Sequence, residues 1–194
     1  MTDRRIDPGW FEALYRSDPD PWDFATSSYE HAKYDRTLAA LGPAERRFAT
    51  GLEVGCSIGV LTDRLAARCD DLLAVDASPT AVDSARARLR GLPHVTVEHR
   101  VLPEQLPTGP FDLIVCSEVL YYWSAGPLGR LLDELESQLA PRGSLVAVHW
   151  RPVTQTYPLR GDQVHEILAA RTGLVHAYGE VHDRYLIDRY DRCE

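Results

Sequence analysis

At 194 residues, 44% of them hydrophobic, the chain has material for one domain with a sizeable core. Its formal net charge of −8 and scattered Lys and Arg argue against a nucleic-acid partner, whose binding rests on cationic contacts to phosphate, and favour a small-molecule substrate. The polar start MTDRRIDPGW lacks the apolar stretch of a secretory signal, and no segment approaches the length of a membrane span. The four cysteines form no CxxC pair, so reduced core thiols in a cytoplasmic protein are expected, with no metal site.

Trp10–Tyr15 has helical spacing. It is followed by Ser17-Asp-Pro-Asp-Pro-Trp22-Asp-Phe24, where two prolines and a tryptophan prevent one regular element. A helix starting near Ser28 would put Tyr29 and Lys33 on one face. Beyond it, short apolar runs alternate with helical patterns, which implies a mostly parallel sheet covered on both faces. Leu52–Val54 reads as a strand, Val60–Arg68 as a helix and Leu72–Val75 as a second strand. In the next helix, Ser78–Arg90, Ser78 is the expected N-cap and Pro79 the first helical residue. Val95–Glu98 is a third strand and Phe111–Cys116 a fourth, apolar almost throughout. Leu128, Leu131, Leu132, Leu135 and Leu139 share one helical face. Pro141-Arg-Gly143 turns into a fifth strand, Ser144–His149, and a further helix begins at Gly161-Asp162. Leu174–Tyr178 and Tyr185–Tyr190 lie too close in sequence for a crossover helix and should be antiparallel. No repeat or inter-domain linker interrupts this order. The expected organisation is a single domain, with an N-terminal helical segment over 1–45, a ligand-binding core over 50–150, and a substrate-side helix and closing hairpin over 151–194.

The most informative stretch is Leu52-Glu53-Val-Gly55-Cys56-Ser57-Ile-Gly59. Its glycines sit at the junction of a strand and a helix, where the backbone must turn sharply and admit a ligand to close contact. The G-x-G-x-x-G spacing of a dinucleotide loop is broken, because Ser57 and Val60 stand where glycines would be needed. What remains suits a ligand with a ribose and a charged amino-acid tail but no pyrophosphate. Asp76, at the tip of the second strand, can accept hydrogen bonds from ribose hydroxyls. The stretch resembles motif I of the class I S-adenosylmethionine (SAM) methyltransferases, with the middle glycine changed to Ser57.

DPDPWDF, the YE-x-x-KY segment, LEVGCSIG, the Asp76 tip and FDLIVCSEVLYYW together resemble the nodulation-protein-S (NodS) group of methyltransferases over about residues 10 to 150. These are small cytosolic enzymes whose founding activity is N-methylation of a deacetylated chitooligosaccharide amine. The resemblance implies a Rossmann-like seven-stranded class I methyltransferase sheet with an N-terminal helical lid and an antiparallel last strand. SAM would be the cofactor and S-adenosylhomocysteine the product, in a monomer or homodimer with no nucleic-acid or membrane partner. The implied cofactor residues are Trp22 and Tyr29 of the lid, Glu53, Gly55, Cys56 and Gly59 of the loop, Asp76 and Ala77, Val101 and Leu102 beside the adenine, and Ser117. One position departs from the family: Val101 stands where an acid usually holds the adenine amino group, with Glu104 as the substitute if the alignment shifts.

Methyl transfer from a sulfonium needs alignment and exclusion of water, and an amine or hydroxyl nucleophile also needs a proton acceptor. At the carboxyl ends of strands, His149 is the expected base and Glu118 its orienting partner or relay. Tyr34, Tyr121, Tyr122, Arg151, Asp162 and His165 are the candidates for substrate contact. Tyr121 and Tyr122 are neighbours and should not both face one way. Arg151 could clamp a substrate carboxylate or phosphate, while an Asp in the place of Asp162 is more often a helix N-cap, and a His in the place of His165 more often a first-turn surface residue. The expected function is methyl transfer to an amine, or a hydroxyl, of an amino sugar or natural-product intermediate. A non-catalytic SAM-binding module and another nucleotide-using α/β enzyme, such as a dehydrogenase, are the alternatives. Nucleic-acid or protein-amide methylation fits less well, because SEVL occupies the place of an N-P-P-Y type motif.

Overall fold

The computed structural model describes residues 4–193. The chain forms two compact units, Asp7–Leu106 and the described residues of Met1–Ile6 with Pro107–Glu194. In chain order the first holds helices α1 (Pro8–Ser17) and α2 (Ser28–Ala40), strand β1 (Phe48–Val54), helix α3 (Val60–Leu65), strand β2 (Cys69–Asp76), helix α4 (Pro79–Arg88) and strand β3 (Val95–His99). β1 and β2 run parallel with Glu53 opposite Ala74, and β2 and β3 run parallel with Asp76 opposite His99.

Local chemistry fixes the helix starts. Asp7 caps α1 by accepting from the Gly9 N–H, and Ser27 caps α2 by accepting from Glu30. Ser78 caps α4 with Pro79 in its first turn, as the sequence predicts. The apolar face of α4 packs Val82, Ala85 and Leu89 against Cys56, Ala74 and Val97. Arg68, in a 3-10 turn after α3, is buried and donates to the carbonyls of Leu38, Gly42, Pro43 and Arg46, which ties the loop after α2 to the start of β2.

The second unit holds strand β4 (Phe111–Ser117), helix α5 (Ala125–Gln138), strand β5 (Leu139–Trp150), helix α6 (Gly161–Ala169) and strands β6 (Leu174–Val181) and β7 (Tyr185–Arg192). β4 and β5 are parallel, whereas β7 is antiparallel to both β5 and β6. Leu128, Leu131, Leu132 and Leu135 of α5 are buried, while Leu139 opens β5 rather than extending the helix. At the start of α6, a Cβ on Gly161 would lie 2.3 Å from the Trp150 carbonyl oxygen, so only glycine lets this helix start against the end of β5. Among the described residues there are seven strands, in the order β3-β2-β1 in the first unit and β4-β5-β7-β6 in the second. Among the described residues no helix is long and apolar enough to cross a membrane.

Candidate active site

The loop after β1 folds back on the end of β2, with the N–H groups of Gly55 and Cys56 both donating to the Val75 carbonyl at 2.8 and 3.0 Å. Gly55 (φ 76), Ser57 (φ 52) and Gly59 (φ 80) all take the left-handed conformation. At Gly59 a second constraint applies, because a Cβ there would press on Ala85 of α4 at 3.1 Å. Gly55 and Ser57 are half-buried while Cys56 and Ile58 are buried, so the open side of the loop lies at residues 55 and 57. The Cys56 side chain sits in the core under α4, and burial pushes its thiol well above the usual range. That corrects the expectation for Cys56: its thiol packs and its N–H is already spent on Val75.

Asp76 joins this loop to the next helix. Its carboxylate accepts from the Ser57 N–H and the Ser78 N–H, each at 2.8 Å. The Ala77 N–H also bonds to this carboxylate, which still leaves one of its roughly four acceptor sites for a further donor. Burial raises its pKa against the opposing pull of these N–H groups. Glu53 is 2% exposed, its Oε2 lacks a hydrogen-bond partner, and burial with the nearby Asp76 pushes it up to about 8 despite Thr62 beside it. Two buried carboxyls beside an open loop form a setting that a cation would relieve.

Helix α1 is fastened to the same loop and helix, through residues the sequence reading passed over. Glu12 accepts from the Ser78 hydroxyl at 2.7 Å, the Thr80 hydroxyl at 2.8 Å and the Thr80 N–H at 3.2 Å, and the Ser78 bond holds its pKa below the ordinary value. The Tyr15 hydroxyl donates to Ser57 Oγ at 2.5 Å. Trp22 packs edge-on against Tyr15, with ring centroids 5.6 Å apart, and stacks on Phe24. Asp20 sets this turn by accepting from Phe24 and Ala25. Tyr29 lies on α2 with the Lys33 ammonium 5.7 Å from its ring centre. Tyr34 is 4% exposed and packs against Phe24 and Arg64, so it belongs to the core and not to a substrate surface.

After β3 the chain turns through Val101 and Leu102. The Val101 N–H donates to the Gln105 side chain at 2.8 Å, Leu102 is buried and Glu104 is exposed. Gln105, which the sequence reading did not single out, thus shapes the turn where the missing acid would stand. Ala77 receives a contact from His99 on its carbonyl.

In the second unit Ser117 ends β4, and Glu118 follows it in the left-handed conformation at φ 57. Glu118 Oε2 accepts from the Tyr121 hydroxyl at 2.6 Å and from the Trp150 N–H at 2.8 Å. Tyr121 and Tyr122 lie on a 3-10 turn and not a strand, so their rings do meet, 4.9 Å apart, and both pack on Tyr157.

His149 has no exposed surface. Its Nε2 receives the Leu120 N–H at 3.2 Å, so its proton sits on Nδ1, facing His165 Nε2 at 3.0 Å. The His165 proton then lies on Nδ1 against Asp188, 2.5 Å away. This chain overturns the expectation of a direct base: the lone pair of His149 is occupied and its ring is sealed. It likewise moves His165 from a first-turn surface to the interior. Arg151 is engaged by Asp162 at 3.0 Å and by the His182 carbonyl at 2.8 Å, so neither residue of that pair is a ready substrate clamp.

The strand order, the antiparallel β7 and the glycine loop on β1 define the Rossmann-like fold of the class I methyltransferases. A family model described as Nodulation protein S (NodS) matches residues 14–151, and the chain belongs to that family. Nodulation protein S of Bradyrhizobium diazoefficiens is 34% identical over 128 residues, 66% of this chain and 61% of that protein. The chain thus spans about six-tenths of the length of this curated relative. A crystal structure of the N-methyltransferase NodS from Bradyrhizobium japonicum WM9, in complex with S-adenosyl-L-homocysteine, superimposes with a TM-score of 0.84 at 26% identity, covering 95% of this chain and 98% of that one. A candidate methyltransferase from Pseudomonas syringae is 41% identical with a TM-score of 0.75, covering 86% of this chain and 100% of that chain.

Proposed function

We propose that the chain is a SAM-dependent methyltransferase that transfers the methyl group to the amine of a small molecule, an amino sugar or natural-product intermediate. The observation that carries the reading is the pair of buried carboxyls, Glu53 and Asp76, beside the left-handed Gly55–Ser57–Gly59 loop. The chemistry of these groups fits a ligand that is cationic at one end and carries a ribose. The orphaned Glu53 Oε2 suits an ammonium, and Asp76 retains acceptor capacity for hydroxyls. Membership in the NodS family and the S-adenosylhomocysteine held by the Bradyrhizobium structure support the same ligand.

When bound, SAM supplies an activated methyl on a sulfonium, with a neutral thioether as leaving group. The protein's own task is then to hold the acceptor in line, exclude water and keep its nitrogen unprotonated. Glu118 is the residue we assign to the acceptor. Its backbone strain and its two fixed donors, Tyr121 and the Trp150 N–H, hold the carboxylate in one orientation, and a carboxylate can receive the proton that a substrate ammonium must lose. His149 and His165 act behind it, holding the Leu120 backbone through a buried chain that ends on Asp188. Glu118→Gln should lower turnover by about a hundredfold while S-adenosylhomocysteine affinity stays near wild type. Unchanged turnover would remove Glu118 from proton handling.

A further inference from the structure

We propose that Tyr15 and Ser57 form a donor pair for the carboxylate of the cofactor's amino-acid tail, with Tyr15 acting through Ser57. The inference rests on the SAM reading above and goes beyond it, because it assigns the anionic end of the ligand to two side chains. Ser57 sits at φ 52, a left-handed conformation that disfavours any residue with a Cβ relative to glycine. A side chain kept in that conformation implies a use for its hydroxyl. The Tyr15 hydroxyl donates to Ser57 Oγ and so occupies one lone pair. The serine proton is left to point elsewhere, on the half-open side of the loop, and a hydroxyl that must donate selects an anion over a cation. The Tyr15 ring is 4% exposed, and burial keeps the phenol neutral and therefore a donor at any physiological pH. The Ser57 N–H is already taken by Asp76, so the hydroxyl is the donor this residue has left to offer. Glu12 and Trp22 fix the place of Tyr15: Glu12 fastens α1 to the start of α4, and Trp22 packs on the tyrosine ring.

The test compares S-adenosylhomocysteine with its decarboxylated analogue, by calorimetry, on wild type, Tyr15→Phe, Ser57→Gly and the double variant. Tyr15→Phe keeps the ring packed on Trp22, and Ser57→Gly suits the left-handed backbone, so both should fold. Ser57→Gly should weaken S-adenosylhomocysteine about tenfold, as expected for loss of a hydrogen bond to a charged group. Tyr15→Phe should weaken it about threefold to tenfold, and the double variant should be no worse than Ser57→Gly alone. The analogue should bind all four proteins equally. Equal losses for both ligands, or additive losses in the double variant, would make the pair a structural brace and overturn the proposal. Unchanged affinity in every variant would overturn it as well. Wild type that binds neither ligand would instead reject the SAM reading on which it stands.

Discussion

Replacing Asp76 by asparagine removes one charge and turns one acceptor oxygen into a donor, at a position where the backbone N–H groups of Ser57, Ser78 and Ala77 already point. The Ser57 and Ser78 N–H groups each lie 2.8 Å from a different carboxylate oxygen, so one of them must face the new NH2. Leaving a buried donor unsatisfied costs about 1–3 kcal/mol. For a protein of this size that corresponds to roughly 2–12 °C in melting temperature. The ligand loses a charge-assisted acceptor for its ribose, worth about 1.5–3 kcal/mol, so S-adenosylhomocysteine should bind about tenfold to a hundredfold more weakly. Both effects act through one carboxylate but are read separately, by differential scanning fluorimetry of the ligand-free protein and by calorimetric titration. A variant with lowered stability and unchanged affinity would show that Asp76 only staples the loop to α4. Unchanged stability and affinity together would show that neither the loop N–H groups nor the ligand depends on this carboxylate.

Glu53, raised to about 8 from an ordinary 4.5, binds its proton more tightly in the folded chain than in the unfolded one. Wild-type stability should therefore fall as pH rises from about 4.5 to 8, by as much as about 5 kcal/mol relative to Glu53→Gln, and urea midpoints that run parallel for the two proteins would exclude this. His149→Ala should lower stability by about 2–4 kcal/mol by breaking the chain to His165 and Asp188, yet keep the acid limb of the pH–rate profile. A flattened limb would return His149 to the role of base. The amides of 22–34 should gain hydrogen-exchange protection when S-adenosylhomocysteine is added, as a lid would, and equal protection with and without ligand would make the Trp22 cluster a packing element alone.

Local patterns carried the elements that depend on local chemistry. Ser78 and Pro79 start α4 because a capping hydroxyl and a fixed φ suffice there, and Leu113–Cys116 is buried as its apolar run implies. The Lys33–Tyr29 contact follows from helical spacing. The geometry of the loop was legible: Gly55 and Gly59 turn the chain after β1, and Asp76 at the end of β2 reaches it through the Ser57 N–H. What escaped depends on residues far apart in sequence. Glu12 meets Ser78 from 66 residues away, and Tyr15 meets Ser57 from 42, and the helical spacing of α1 does not say which distant partner either will find. His165 is buried because Asp188 on β7, which pairs with Ala147 of β5, offers it a charged partner, and no pattern within α6 signals that. The same pairing is what withdrew His149 from direct proton transfer.

Methyl transfer to an amine can be read by incubating the protein with methyl-labelled SAM and a panel of amino sugars beside their N-acetylated counterparts, followed by mass spectrometry of the products. Label should appear on the nitrogen of the free amines and not on the N-acetylated sugars, with one S-adenosylhomocysteine formed per methyl transferred. Label on a hydroxyl of both sets would contradict the amine assignment, and tight S-adenosylhomocysteine binding with no labelled product from any acceptor would contradict the enzyme itself.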